Sequence, residues 1–371
     1  MIRLTAATCA VMLWLAAVLV SCSTAPTTSS SAAPTTSSAA TPDATGTSLP
    51  AGLIALHEYQ PGESSGFTSG VFDNPSIRGV ALRMNWKDVE PSSRRFAWGP
   101  IDQAFAAAAT SHKFVVLILV PGFGTPSWAL QGVTTATFAR QYGLGAGTVG
   151  ELPMPWDPTY LSRWFAFMRD VAGRYGNNPE FRMIAAAGPN SVSVEMSLPN
   201  ADADISRWIA LGYTADKYVG AWSTTFQKYA EIFPKQYISL SLYPGLPIGN
   251  GGKRDAAQRT ATPARVLAAG LAYKGIFAVQ TSGLTGSRTG SDLYDLVSSN
   301  SGSVVTGFQL TTSATANPGQ MGDAASPLHA LTLTLQLGLA AHVDFLELYE
   351  PDVVNPAMQD LLRSTEVQLP H

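Results

Sequence analysis

From residue 50 onward, short apolar runs alternate with longer stretches in which apolar residues return every three or four positions. The short runs are 52–59 (GLIALHEY), 78–86 (RGVALRMNW), 113–120, 181–188, 236–243, 275–280, 304–310 and 343–350. Most are apolar throughout rather than alternating, as expected of parallel strands covered on both faces. Between them, 98–112, 157–176, 214–233 and 291–299 read as helices. A polar cap followed by proline marks a helix start at Asp157-Pro158, Thr262-Pro263, Ser326-Pro327 and Asn355-Pro356. The segment 66–77 (GFTSGVFDNPSI) is a weak helix at best.

Eight strands alternating with helices predict an α/β chain, a (β/α)8 TIM barrel forming one domain over residues 50–371. An open doubly wound sheet is the runner-up, and the count of eight favours closure. No internal repeat is present. The long connections 121–156 and 189–213 both follow strands. In a barrel they lie on the C-terminal face, where active sites form.

Residues 1–22 have an early Arg3, an apolar run and then small residues, the pattern of a secretory signal. Its end, Leu19-Val20-Ser21-Cys22, resembles the bacterial lipoprotein processing box, which implies cleavage before Cys22 and lipidation of its thiol. Residues 23–49 are Ser/Thr/Ala/Pro-rich, with Asp43 as the one charge. They bury too little surface to offset their ordering entropy and read as a flexible tether. The expected arrangement is a monomer lipid-anchored at the extracytoplasmic face of a bacterial cell membrane.

Composition narrows the chemistry. Cys9 lies in the signal and Cys22 at its end, so the domain has no disulfide, thiolate metal site or cysteine nucleophile. Charged residues make up 13% and the net charge is −3, which implies no basic face and no nucleic-acid partner. His57, His112, His329, His342 and His371 show no metal-ligand spacing. GNGGKRD lacks the spaced glycine and the Ser/Thr of a phosphate loop. No metal and no cofactor are expected. Gly62-Glu63-Ser64-Ser65-Gly66 matches the G-x-S-x-G elbow of serine esterases, but no convincing helix opens after it, so an esterase using Ser64 is a remote reading.

One stretch carries a family resemblance. In RGVALRMNWKDVEPSSRRFAWGPIDQAF, the order Arg83, Trp86, Glu90-Pro91, Phe96, Trp98, Asp102 resembles the second strand and following helix of clan A glycoside hydrolases. VPGFGTPSW, ending in Trp128, resembles their sugar-site loop, and RYGNNPEF their turn into the fourth strand. The resemblance spans about 50–200 and implies a barrel enzyme acting on carbohydrate. Sugars present C–H faces that stack on aromatic rings and hydroxyls that need planar partners. Trp86 and Trp128 are candidates for a stacking floor and Arg83 for a polar anchor; packing of the barrel end is the other role open to the tryptophans. Asn190, Tyr243, Gln309 and Tyr349, at or beyond strand ends, complete the candidate binding set.

Glycoside cleavage takes two carboxyl groups flanking the bond. Glu195, just past the fourth strand, stands where the resemblance implies the acid/base, although Val194 rather than asparagine precedes it. The seventh strand should end with the second carboxylate and instead offers Gln309, whose amide can neither attack an anomeric carbon nor hold a proton. On the eighth strand Phe345, Glu347 and Tyr349 share the face opposite Leu346 and Leu348, which turns Glu347 inward. Glu195 and Glu347 are therefore the candidate pair, farther apart than a retaining pair and nearer the roughly 6.5–9.5 Å of an inverting one. The expected function is a glycoside hydrolase; the alternative is a glycosidase-like barrel that holds a glycan without cutting it.

Overall fold

The computed structural model describes residues 48–63, 66–141, 146–287 and 292–370. The signal, Cys22, the tether as far as residue 47 and Ser64 lie outside the described residues. Ten strands form: β1 (Gly52–Glu58), β2 (Ile77–Asn85), β3 (Phe114–Val120), β4 (Thr135–Ala139), β5 (Val149–Pro153), β6 (Phe181–Ala185), β7 (Tyr237–Leu242), β8 (Phe277–Leu284), β9 (Val305–Leu310) and β10 (Phe345–Tyr349). Eight of them close a parallel barrel in chain order, with β10 pairing back onto β1; β4 and β5 form a separate antiparallel hairpin. The architecture is the (β/α)8 barrel that the eight apolar runs predict, and the open sheet is excluded by the β1–β10 ladder.

Strand parity divides the core in two. Leu53, Ala55, Val80, Leu82, Val115, Leu117, Leu346 and Leu348 join the layer between barrel and helices. Ile54, Leu56, Val116, Ile118, Val120, Met183, Ala185 and Phe345 fill the barrel itself. The interior is polarised. Ser239, Ser241, Gln280, Gln309 and Glu347, all buried, share the inward parity on β7–β10, whereas below Glu58 and Arg83 the inward positions of β1, β2, β3 and β6 are mainly apolar.

The helix signals mostly hold. The Asp157 carboxylate accepts from Thr159 N (2.9 Å) and Tyr160 N (3.0 Å) to open Pro158–Tyr175, and Ser326 Oγ accepts from His329 N (3.1 Å) to open Pro327–Ala340. Thr262-Pro263 is different: its helix runs Gln258–Gly270, so Pro263 is internal rather than at the start. The carbonyl that Pro263 cannot reach, Arg259 O, accepts instead from Gly245 N at 3.0 Å, so the missing intrahelical bond leaves nothing unsatisfied. Only glycine fits at 245, because a Cβ there would lie 2.4 Å from Gln258 O. The weak helix at 66–77 does not form; the described residues there are turns. The two long connections hold structure that the pattern did not predict, the β4–β5 hairpin and the helix Asp202–Ala210. No described helix is long and apolar enough to cross a membrane.

Candidate functional site

A cleft of about 710 Å³ opens at the C-terminal mouth of the barrel. Its walls include Glu58, Tyr59, Arg83, Lys87, Phe123, Arg140, Glu195, Tyr243, Ser282, Gln309 and Tyr349. Arg83, the last inward residue but one of β2, donates from Nη2 to Gln309 Oε1 at 2.6 Å and from Nη1 to Glu58. Gln309 Nε2 donates to the Tyr349 hydroxyl at 3.1 Å, and Ser282 Oγ to Gln309 Oε1 at 3.4 Å. Burial opposes the Arg83 charge, but Glu58, Glu195, Tyr349 and Glu347 together outweigh it and hold the guanidinium firmly protonated.

Glu195 reaches this wall by a detour. After β6 ends at Ala185 the chain makes an excursion and returns at Glu195, which pairs in parallel with Ser241 of β7; Met196 N donates to Ser241 O at 3.0 Å. Val194, immediately before it, is buried in the barrel interior and anchors the return. Asn190 is buried inside the excursion and makes only local bonds: it accepts from Gly188 N (2.8 Å) and donates to Ser193 O. It lies off the cleft wall. The excursion is latched to the third mouth loop by Phe123 N to Ser191 O (2.8 Å), and Gly122, at φ 64°, is where the two backbones touch. A Cβ at Gly122 would stand 2.1 Å from Ser191 O.

Glu347 turns inward, as the parity of its strand predicts, and registers beside Gln309. It has no accessible surface and does not line the cleft; the Arg83–Gln309–Tyr349 set lies above it. Among the described residues neither of its carboxylate oxygens has a partner at normal hydrogen-bond length, nor does the nearby Gln280 Oε1; the Gln280 amide comes near enough only for a weak, long contact. Burial pushes its pKa up to about 7, against the pull of Arg83 and the Gln280 amide and with a further push from Glu195.

Trp86 and Trp128 do not form a stacking floor. Trp86 is fully buried, stacked on Phe167 (5.6 Å) and edge-on to Trp128 (5.7 Å) and Trp164 (5.3 Å). Its Nε1 donates to Glu90 Oε2 at 3.0 Å, and Trp128 Nε1 donates to Glu90 O at 3.2 Å. Neither indole lines the cleft. Phe96 stacks on Trp98 (4.7 Å), and Asp102 pairs with Arg174 (2.7 Å). Of the residues that carry the resemblance in this stretch, only Arg83 lines the cleft. The reason is geometric: Arg83 is the inward residue, while Trp86 starts the turn Trp86–Val89 and points at the helix layer.

His57-Glu58, at the end of the first strand, is a pair that the sequence leaves open between the site and packing, and the structure divides it: Ile54, Leu56 and Glu58 share the inward face of β1 and Glu58 lines the cleft, while His57 faces outward. There His57 packs on Phe67 and is held between Glu350 (Nδ1, 2.9 Å) and Glu63 (Nε2, 2.6 Å). Burial disfavours its charge, yet the two carboxylates prevail and raise its pKa. Other wall residues escaped the sequence reading: Lys87, Phe123 and Arg140 lie on mouth loops, where strand parity gives no guide. Among the described residues no cluster of His, Cys, Asp and Glu could hold a metal ion.

No family model matches the chain, and no curated protein matches it. Solved structures do. A β-galactosidase from the psychrophilic Marinomonas ef1 matches at 10% identity and TM-score 0.46 over 80% of this chain and 53% of its own. The polyextremophilic β-galactosidase of the Antarctic haloarchaeon Halorubrum lacusprofundi matches at 13% and 0.48 over 80% and 52%. A psychrophilic family 10 endo-β-1,4-xylanase matches at 9% and 0.44 over 80% and 85%. The chain thus spans about half the length of the two β-galactosidases, 53% and 52%. At these identities and scores the likenesses do not bear on activity.

Proposed function

We infer that this chain is a carbohydrate-binding (β/α)8 barrel whose cleft holds a glycan without the pair of free carboxyl groups that hydrolysis requires. One observation carries the reading: of the two candidate carboxylates only Glu195 lines the cleft, while Glu347 is sealed beneath it and the seventh barrel strand presents an amide already engaged by Arg83. A general acid or nucleophile must reach the anomeric centre or its leaving oxygen directly, so a carboxyl under the floor serves neither role. Of the chain's 26 Asp and Glu residues only Asp43 falls outside the described ones, so the wall's account of acids is otherwise complete. What remains suits sugar binding. Tyr59, Phe123, Tyr243 and Tyr349 offer ring faces, and Arg83, Asn85, Ser282 and Gln309 offer polar groups for hydroxyls. The chain would act at the extracytoplasmic face of a cell membrane, held through Cys22; the processing box at its signal end supports that.

A second reading has one observation of its own. Glu58 and Glu195 line the same cleft, so a hydrolase using Glu195 as acid/base and Glu58 as its partner would need Glu58 to leave Arg83 or to work while bound to it. A glycan array tests the binding that both readings require: wild type should bind a defined subset of glycans, and Tyr243→Ala should weaken that binding by about fivefold, a stacking contact of about 1 kcal/mol. A chain that binds no glycan overturns the reading.

A further inference from the structure

The cleft wall carries two acids, Glu58 and Glu195, and three cations, Arg83, Lys87 and Arg140. Arg83 is tied to Glu58 and Gln309. Lys87 belongs to the turn Trp86–Val89, and Arg140 directly follows β4. The turn Gly122–Gly124 packs against both Trp86–Val89 and β5, so the two cations flank one turn. Among the described residues neither forms an ion pair. The acid beside Lys87 is already engaged: Asp88 accepts from Asn85 Nδ2 at 2.8 Å.

Arg140 is held ready. Its guanidinium carbon sits 5.2 Å from the Phe123 ring centre, and Nη2 donates to Phe123 O at 3.3 Å. That is the side chain's one protein hydrogen bond among the described residues, and its Nε is buried with no acceptor. A guanidinium carries five donors in a fixed fork that matches planar anions. Holding two half-buried cations without an anionic partner costs desolvation energy, which an anion arriving with the ligand would offset. The chain's net charge of −3 gives no general attraction for anions, so any preference must come from this wall.

Resting on the carbohydrate reading above, we propose that the cleft selects anionic glycans, with Lys87 and Arg140 receiving the acidic substituents of the sugar. A uronic-acid carboxylate and a sulfate ester share the chemistry that these two side chains recognise. Titration calorimetry at low salt with oligogalacturonides, heparin-derived sulfated oligosaccharides and neutral cello-oligosaccharides of equal length tests it. At least one acidic set should bind about tenfold more tightly than the neutral one, and added salt should shrink the difference. Lys87→Gln and Arg140→Gln should each weaken acidic binding by about tenfold, the worth of a charge-assisted hydrogen bond. Neutral binding and melting temperature should hold, and Lys87→Arg should retain acidic binding. Equal affinity for acidic and neutral sets, or acidic binding indifferent to both substitutions, overturns the proposal while leaving the carbohydrate reading in place. No binding to any glycan overturns both.

Discussion

Arg83 and Gln309 face each other across the barrel mouth, with Nη2 of the arginine 2.6 Å from Oε1 of the amide. Their strands, β2 and β9, are not neighbours; β1 and β10 lie between them. The bond therefore spans two strands, and Glu347 of β10 lies buried under the span. Gln309→Ala should release Arg83 to Glu58 alone and cost about 1 kcal/mol of stability, with glycan affinity down about tenfold as the polar floor loosens. Calorimetry and a melting curve report both; unchanged affinity removes the amide from the site.

Glu347 predicts a pH signature. Its folded pKa is raised from 4.5 to about 7. Below pH 4.5 the carboxyl is protonated whether the chain is folded or not. Between the two values the folded chain holds a proton that the unfolded chain has lost, so stability falls as pH rises. Above about 7 the loss is complete, on the order of 3 kcal/mol. Glu347→Gln removes it: the variant should match wild type near pH 4 and gain on it steadily towards pH 8 in denaturant titrations. A gap that does not change with pH contradicts the buried, unpartnered carboxyl.

Trp128→Ala should act on the fold and not on binding. Trp128 braces Trp86 and donates to Glu90 O, so its loss should cost about 2–4 kcal/mol. Glycan affinity of the folded fraction should stay within about twofold. A large affinity loss with an intact melting curve returns Trp128 to the cleft.

The barrel was legible because its strands are buried on both faces and its helices announce themselves with caps. What escaped was set by tertiary context. Pro263 looked like a helix start because the partner of Arg259 O, Gly245 N, lies in another segment. For the candidate site, parity placed Glu347 inward but could not say how deep, since depth depends on what Arg83 and Gln309 build above it. A strand pattern also cannot tell an indole that faces sugar from one that faces a helix; Trp86 lies one residue past β2, where alternation no longer applies. Arg140 follows a hairpin strand with exposed positions, so no apolar rhythm marked it.

Cys22→Ala should move the chain from the membrane fraction to the soluble extracytoplasmic one, since a lipidated cysteine would be the attachment point. Fractionation of both forms decides; an unchanged membrane fraction ends the lipoprotein proposal.

The central claim is that the cleft binds a glycan but does not cut it, and the most direct test is reducing-end release from the glycans the wild type binds. Saturable binding with no release above the uncatalysed background is expected for wild type, Glu195→Gln and Glu347→Gln alike. Release by wild type that disappears in Glu195→Gln would contradict it. Its further loss in Glu58→Gln would name the hydrolytic partner, and its loss in Glu347→Gln would mean that the buried carboxyl reaches the bond.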